Sequence, residues 1–257
     1  MIRRLAALLI VIAAIGGGFF YFARPDAPGL LATNTVAVMD GSGAAMDVYF
    51  NLENIGGPDA LIGVSSSAAE RAVIVRPEAY SVTPIPGQSS PVFARDGVYL
   101  RLEGLQGNLE EGALVPLVLT FERAGDVVIK ARVSGDVVDP HAQHRMDGMA
   151  QGGTGLEADV SLSVTPQSDG DGWDLDMEIE NFELFQPDGE APDRPEQGHA
   201  HLYLNGLKLG RLYTGTASIG ALLPGTYTVR VALNSNTHMP VMADGQPVEA
   251  SAEITAD

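Results

Sequence analysis

No cysteine occurs anywhere in the 257 residues. That one absence removes disulfide staples, thiolate metal ligands and cysteine nucleophiles together. Any metal site has to be assembled from five histidines, eight methionines and the carboxylates. Basic residues are scarce as well: 15 Lys and Arg stand against 33 Asp and Glu, a formal net charge of −18. A field of that sign repels nucleic acid and anionic membrane surfaces, so neither is an expected partner. Long Ala/Leu/Glu/Lys stretches at helical spacing are missing beyond the N-terminus, whereas Gly (30) and Pro (16) are plentiful. Such a chain is built from short strands joined by tight turns. Its length suits two domains of ordinary size.

Catalytic patterns are missing too. There is no Gly-x-Ser-x-Gly, and Ser65-Ser66-Ser67 has no histidine beside it in an elbow arrangement. Gly41-x-Gly43 and Gly152-Gly153-x-Gly155 lack the strand-to-helix context that cradles phosphate. The run from Asp169 to Asp176 is acidic but departs from a calcium-loop pattern and reads as a hairpin turn. No carboxylate spacing singles out a general acid–base pair. The chain is therefore expected not to be an enzyme.

One hydrophobic run is present. Arg3 and Arg4 precede apolar residues from Leu5 to Ala23, long enough to cross a ~30 Å hydrocarbon core as a helix. Basic residues before the run and an acidic chain after it place residues 1–4 in the cytoplasm and the remainder outside. The run ends Phe19-Phe20-Tyr21-Phe22, an aromatic interface anchor rather than a small-residue cleavage site. Residues 1–24 are expected to be an uncleaved inner-membrane anchor of a periplasmic protein. Cleavage near Ala23 is the alternative and exports the chain equally.

Beyond the anchor, alternation at period two dominates. Ala45 to Leu52, Val73 to Val75, Val98 to Leu102, Val115 to Phe121 and Val127 to Ala131 read as strands with turn residues between them. A polar, Gly-rich stretch follows, and then β patterns return at Ala158–Val164, Trp173–Ile179, His199–Leu204 and Tyr227–Leu233. Asn205-Gly206 marks a hairpin turn. The expected fold is all-β: two β-sandwich domains, 25–135 and 156–257, after one N-terminal transmembrane helix, with 136–155 as connector.

The stretch from Tyr49 to Val133 resembles the PCuAC family of periplasmic copper chaperones. The resemblance is carried by Tyr49-Phe50-Asn51-Leu52-Glu53-Asn54, by Asp59 to Ser66 with Ala68-Ala69, by Gly104-Leu105, by Leu109 to Gly112, and by Val115 to Gly125. It implies a cupredoxin-like sandwich for the first domain and, in the family, a Cu(I) site of two His and two Met. Those ligands are not here. The family's first His falls on Val75, its late His-x-Met pair falls on Tyr99 and Arg101, and the segment that carries its first Met is shortened. Val, Tyr and Arg do not replace imidazole and thioether donors for Cu(I), so no ligand is carried over into this domain.

All five histidines instead follow residue 140. His141, His144, Met146 and Met149 interleave within nine residues of the connector, and mixed imidazole/thioether sets suit copper as Cu(I), with imidazole also serving Cu(II). Many PCuAC proteins carry a His/Met-rich tail of this flavour. His199 and His201 sit at i, i+2 on a strand, so their imidazoles share one face with Cβ atoms ~7 Å apart. His238, Met239 and Met242 follow the Tyr227–Leu233 strand. If that strand pairs near the first, His238 completes a three-His set with Met239 or Met242 axial. The residues around Gly198-His199-Ala200-His201, Arg211-Leu212-Tyr213 and Leu223-Pro224-Gly225 also resemble a small exported β domain without a firm activity. The expectation is a membrane-tethered copper-binding protein that holds copper and hands it to a cuproenzyme or an assembly chaperone. A metal-free docking module with structural histidines is the competing reading, and a His-site metalloenzyme is a distant third.

Overall fold

The computed structural model describes residues 29–107, 109–135, 157–168, 170, 172–187 and 194–257. The expected anchor, residues 1–24, and the connector with His141, His144, Met146 and Met149 lie outside the described residues. Within them every regular element is β, and no helix is long and apolar enough to cross a membrane.

The first half contains β1 (Leu30–Met39), β2 (Ala45–Asn54), β3 (Asp59–Ser65), β4 (Ala69–Val75) and β5 (Thr83–Ile85). It continues with β6 (Val92–Phe93), β7 (Tyr99–Leu105), β8 (Leu114–Phe121) and β9 (Gly125–Ser134). The second half begins with β10 (Asp159–Pro166), β11 (Gly172–Glu180), β12 (Glu183–Leu184), β13 (Gln197–Leu204) and β14 (Leu207–Leu212). It ends with β15 (Thr216–Gly220), β16 (Gly225–Ser235), β17 (Met242–Ala243), β18 (Gln246–Pro247) and β19 (Glu249–Ala256).

Alternation decides which way each strand faces. In β8, Val115, Leu117, Leu119 and Phe121 are buried while the residues between them are not. Their antiparallel partner β9 contributes Ile129, Ala131 and Val133 to the same core. Phe50 of β2 stacks on Phe93 of β6 with ring centroids 4.2 Å apart. A separate core in the second half gathers Trp173, Leu175 and Met177 from β11 with Val229, Val231 and Leu233 from β16.

The two cores share one sheet. One ladder runs β19-β16-β13-β14-β6-β2-β1-β9-β8-β3-β5, and it crosses from one half to the other where Lys208 of β14 pairs with Val92 of β6. Leu207, the first residue of β14, is fully buried in the first core, and Leu209 packs against both. The Asn205-Gly206 turn makes this possible. Both residues adopt left-handed backbone angles (φ 47° and 80°), as a two-residue hairpin of matching twist requires. The hairpin thereby delivers Leu207 and Lys208 into the neighbouring half.

Candidate metal centre

Strand β13 is covered on both faces. Ala200, Leu202 and Leu204 enter the second core, so the alternate residues His199, His201 and Tyr203 share the opposite face. Both histidines are only 2% exposed. Antiparallel pairing with β16 sets His199 opposite Asn234 and Gly198 opposite Ser235. A Cβ on Gly198 would strike the Asn234 carbonyl oxygen, so only glycine lets the two backbones approach this closely.

Past β16 the chain folds back at once. His238 N–H donates to the Ser235 carbonyl at 3.0 Å, and Ser235 N–H donates to the Met239 carbonyl at 2.8 Å. His238 takes a positive φ of 66°, an uncommon conformation that a side chain must be held in by its surroundings. The turn swings its ring back over β13.

Three imidazoles therefore converge. His199 Nε2 lies 2.9 Å from His201 Nε2 and 3.1 Å from His238 Nδ1. One ligand nitrogen from each residue lies within 4.8 Å of the other two. Nitrogens bound to a common ion at ~2.0–2.1 Å with tetrahedral angles stand about 3.3 Å apart, so the observed spacing is close to that of ligands round one ion.

Burial, first, and then the charge of His238 push the His199 pKa down from 6.5 to about 3. Burial followed by the Lys208 charge lowers that of His201 as well. Both rings are held neutral, the form that donates a lone pair to a metal.

His201 Nδ1 points away from the cluster. It is 3.2 Å from the Tyr203 hydroxyl and 3.4 Å from Asp96 Oδ2. Tyr203 Oη–H donates to Asp96 Oδ2 at 3.3 Å, and the buried Lys208 Nζ donates to the same oxygen at 2.7 Å. Burial, followed by the Asp96 charge, raises the Tyr203 pKa, so the phenol keeps its proton. Arg230 lies over the Tyr203 ring at 4.1 Å. With Tyr203 donating to Asp96, its oxygen accepts from His201 Nδ1–H, which leaves the His201 Nε2 lone pair facing the cluster.

The three ring nitrogens crowd round one point, and a cation placed there would take all three lone pairs at once. The donor set therefore fits a metal that accepts imidazole, copper among them.

The structure also locates the remaining sequence candidates. Met239 follows His238 in the same turn, and Met242 opens the small β17–β18 ladder opposite Pro247; both are half-buried. In the first half, Val75 pairs with Tyr99 across β4 and β7. Arg101 grips Asp47 through Nε at 2.7 Å and Nη2 at 3.0 Å, and Tyr49 donates to Asp47 Oδ2 at 3.4 Å. An ion pair flanked by Tyr49 and Tyr99 thus stands on this face of the first half. Asp96, Tyr203 and Lys208 escaped the sequence reading. Tyr203 was detectable as the next same-face residue after His201, but nothing local marks Asp96, 107 positions away.

Residues 31–133 match the family model described as Putative lipoprotein LpqE-like. The matched span takes in the stretch from Tyr49 to Val133 that carries the PCuAC resemblance, and none of His199, His201 and His238 falls within it. Among solved structures, the apo PCuAC domain from PmoF1 is 26% identical with a TM-score of 0.40, covering 43% of this chain and 98% of that one. The copper-bound PCuAC domain from PmoF2 is 22% identical with a TM-score of 0.38, covering 42% and 94%. The solution structure of CuI-DR1885 from Deinococcus radiodurans is 20% identical with a TM-score of 0.37, covering 45% and 84%. No curated protein matches the chain.

Proposed function

We propose, from a first half that matches the LpqE-like family and a second half that brings three histidines to one point, that this protein is an exported copper carrier. It holds copper at His199, His201 and His238 and passes it to a cuproenzyme or an assembly chaperone. The observation that carries the reading is the convergence of three imidazoles, two of them buried and held neutral, with ring nitrogens 2.9 and 3.1 Å apart. Copper is the favoured cargo because imidazole affinity for divalent first-row metals peaks at Cu(II). The copper-bound relatives of the first half point the same way. Met239, next to His238, is the candidate fourth donor, with Met242 the other; His141, His144, Met146 and Met149 form a second, faster-exchanging set.

The two halves are read as β-sandwiches, the first cupredoxin-like, behind an N-terminal helix that anchors the chain in the inner membrane. Nothing within the 257 residues offers a thiol for a thioether-linked lipid, so a hydrophobic helix is the means of attachment they supply. The chain is read as a carrier rather than a catalyst. Copper titration of the full chain in detergent, with metal content measured after buffer exchange, tests the reading. One tightly held equivalent supports it, and failure to retain copper favours the metal-free docking module.

A further inference from the structure

We propose that the first half supplies the outer shell of the three-histidine site, with Asp96 acting through Tyr203 as the positioning residue for His201. The inference rests on the metal reading above and goes beyond it by giving the ligand-poor half a task in the other half's chemistry. A metal-bound imidazole needs its second nitrogen tied to an acceptor, which fixes both tautomer and ring orientation. Here the tie leaves the second half. His201 Nδ1 reaches the Tyr203 oxygen at 3.2 Å, Tyr203 reaches Asp96 at 3.3 Å, and Asp96 lies in the loop just before β7.

The position of Asp96 is itself set by close packing. Gly97 N–H donates to the Ala94 carbonyl at 3.0 Å, closing a tight turn around Asp96. A Cβ on Gly97 would meet the Gly206 carbonyl oxygen at 2.8 Å, so this turn lies directly against the β13–β14 hairpin turn. Leu207 and Lys208 leave that hairpin into the first half, and Lys208 Nζ closes on Asp96 at 2.7 Å. The carboxylate is therefore held between the hairpin whose strand β13 carries His199 and His201 and the core of the first half.

A competing role is open to Asp96, since a buried lysine needs a counter-charge. Variants of the full chain separate the two. Asp96→Asn keeps the shape but loses the acceptor strength, and copper affinity is expected to fall about 10- to 100-fold. Asp96→Glu should recover part of that loss. The double variant Asp96→Asn/Lys208→Met removes both charges: a positioning role keeps copper binding as weak as in Asp96→Asn alone, whereas pure charge balance restores wild-type affinity and overturns the proposal. Nitrogen-15 shifts of His201 in the metal-free chain give a readout that needs no copper. Wild type should show a proton fixed on Nδ1, and Asp96→Asn a mixture of tautomers. Unchanged tautomers in Asp96→Asn overturn the positioning role; a wild-type chain that binds no copper overturns the metal reading instead, so the two failures are distinguishable.

Discussion

His199 and His238 stand 39 positions apart in the chain, yet Nε2 of one and Nδ1 of the other meet at 3.1 Å. Two local facts produce the contact. Gly198 lets β13 and β16 close together beside His199, and the turn after Ser235 throws His238 back with a positive φ.

Gly198→Ala should therefore damage both fold and site. Its Cβ meets backbone, not a movable side chain, so β13 and β16 must separate where His199 is held. Overpacking of this kind costs about 1–3 kcal/mol. Denaturant unfolding should show the loss, and copper titration should show weakened binding in the same variant.

Acid should destabilise the metal-free protein through the buried histidines. His199 has a folded pKa of about 3 against 6.5 for the free side chain. Between those values the unfolded chain binds a proton that the folded chain refuses, so stability is full above pH 6.5 and declines as pH falls toward 3. The expected loss is on the order of a few kcal/mol across that window. Unfolding midpoints from pH 7.5 to 4 measure it, and His199→Gln should flatten the slope.

The first half should contribute no copper ligand. Val75→Ala and Tyr99→Phe are expected to leave stoichiometry and affinity unchanged in the full chain. Arg101→Ala should destabilise by about 1–3 kcal/mol, because Asp47, 4% exposed, loses two charge-assisted hydrogen bonds. Thermal melts with parallel copper titration separate the two effects.

The stacked pair Phe50 and Phe93 bridges β2 and β6 beside the strand crossing between halves. Phe50→Ala should cost about 3–5 kcal/mol. A single cooperative transition in the variant would show that both halves melt together through their shared ladder; two separated transitions would show that they do not.

Much of this was legible in the sequence because period two is a strong signal. It placed Val115 to Phe121 and Tyr227 to Leu233 on strands, put His199 and His201 on one face, and read Asn205-Gly206 as a hairpin turn. Other features depend on contacts with no local trace. Leu207 looks like any strand residue, and only the fold shows it buried in the other half's core. Lys208 reads as a surface charge and is 2% exposed, because its partner Asp96 is 112 positions away. That Val75, Tyr99 and Arg101 bring no copper donor was legible from residue type, whereas the Asp47 partner that holds Arg101 emerges from the β2–β7 register.

The most direct measurement is competitive copper titration of the full chain against its His199→Ala/His201→Ala and His238→Ala variants, with circular dichroism recorded on each. The account predicts one tight equivalent in the wild type that the double variant loses and His238→Ala weakens at least about tenfold, the scale of a lost or disturbed ligand, while the β spectrum persists. A separate weak equivalent should survive in all of them and disappear with His141→Ala/His144→Ala. Tight copper retained in full by the His199→Ala/His201→Ala variant would contradict the central claim.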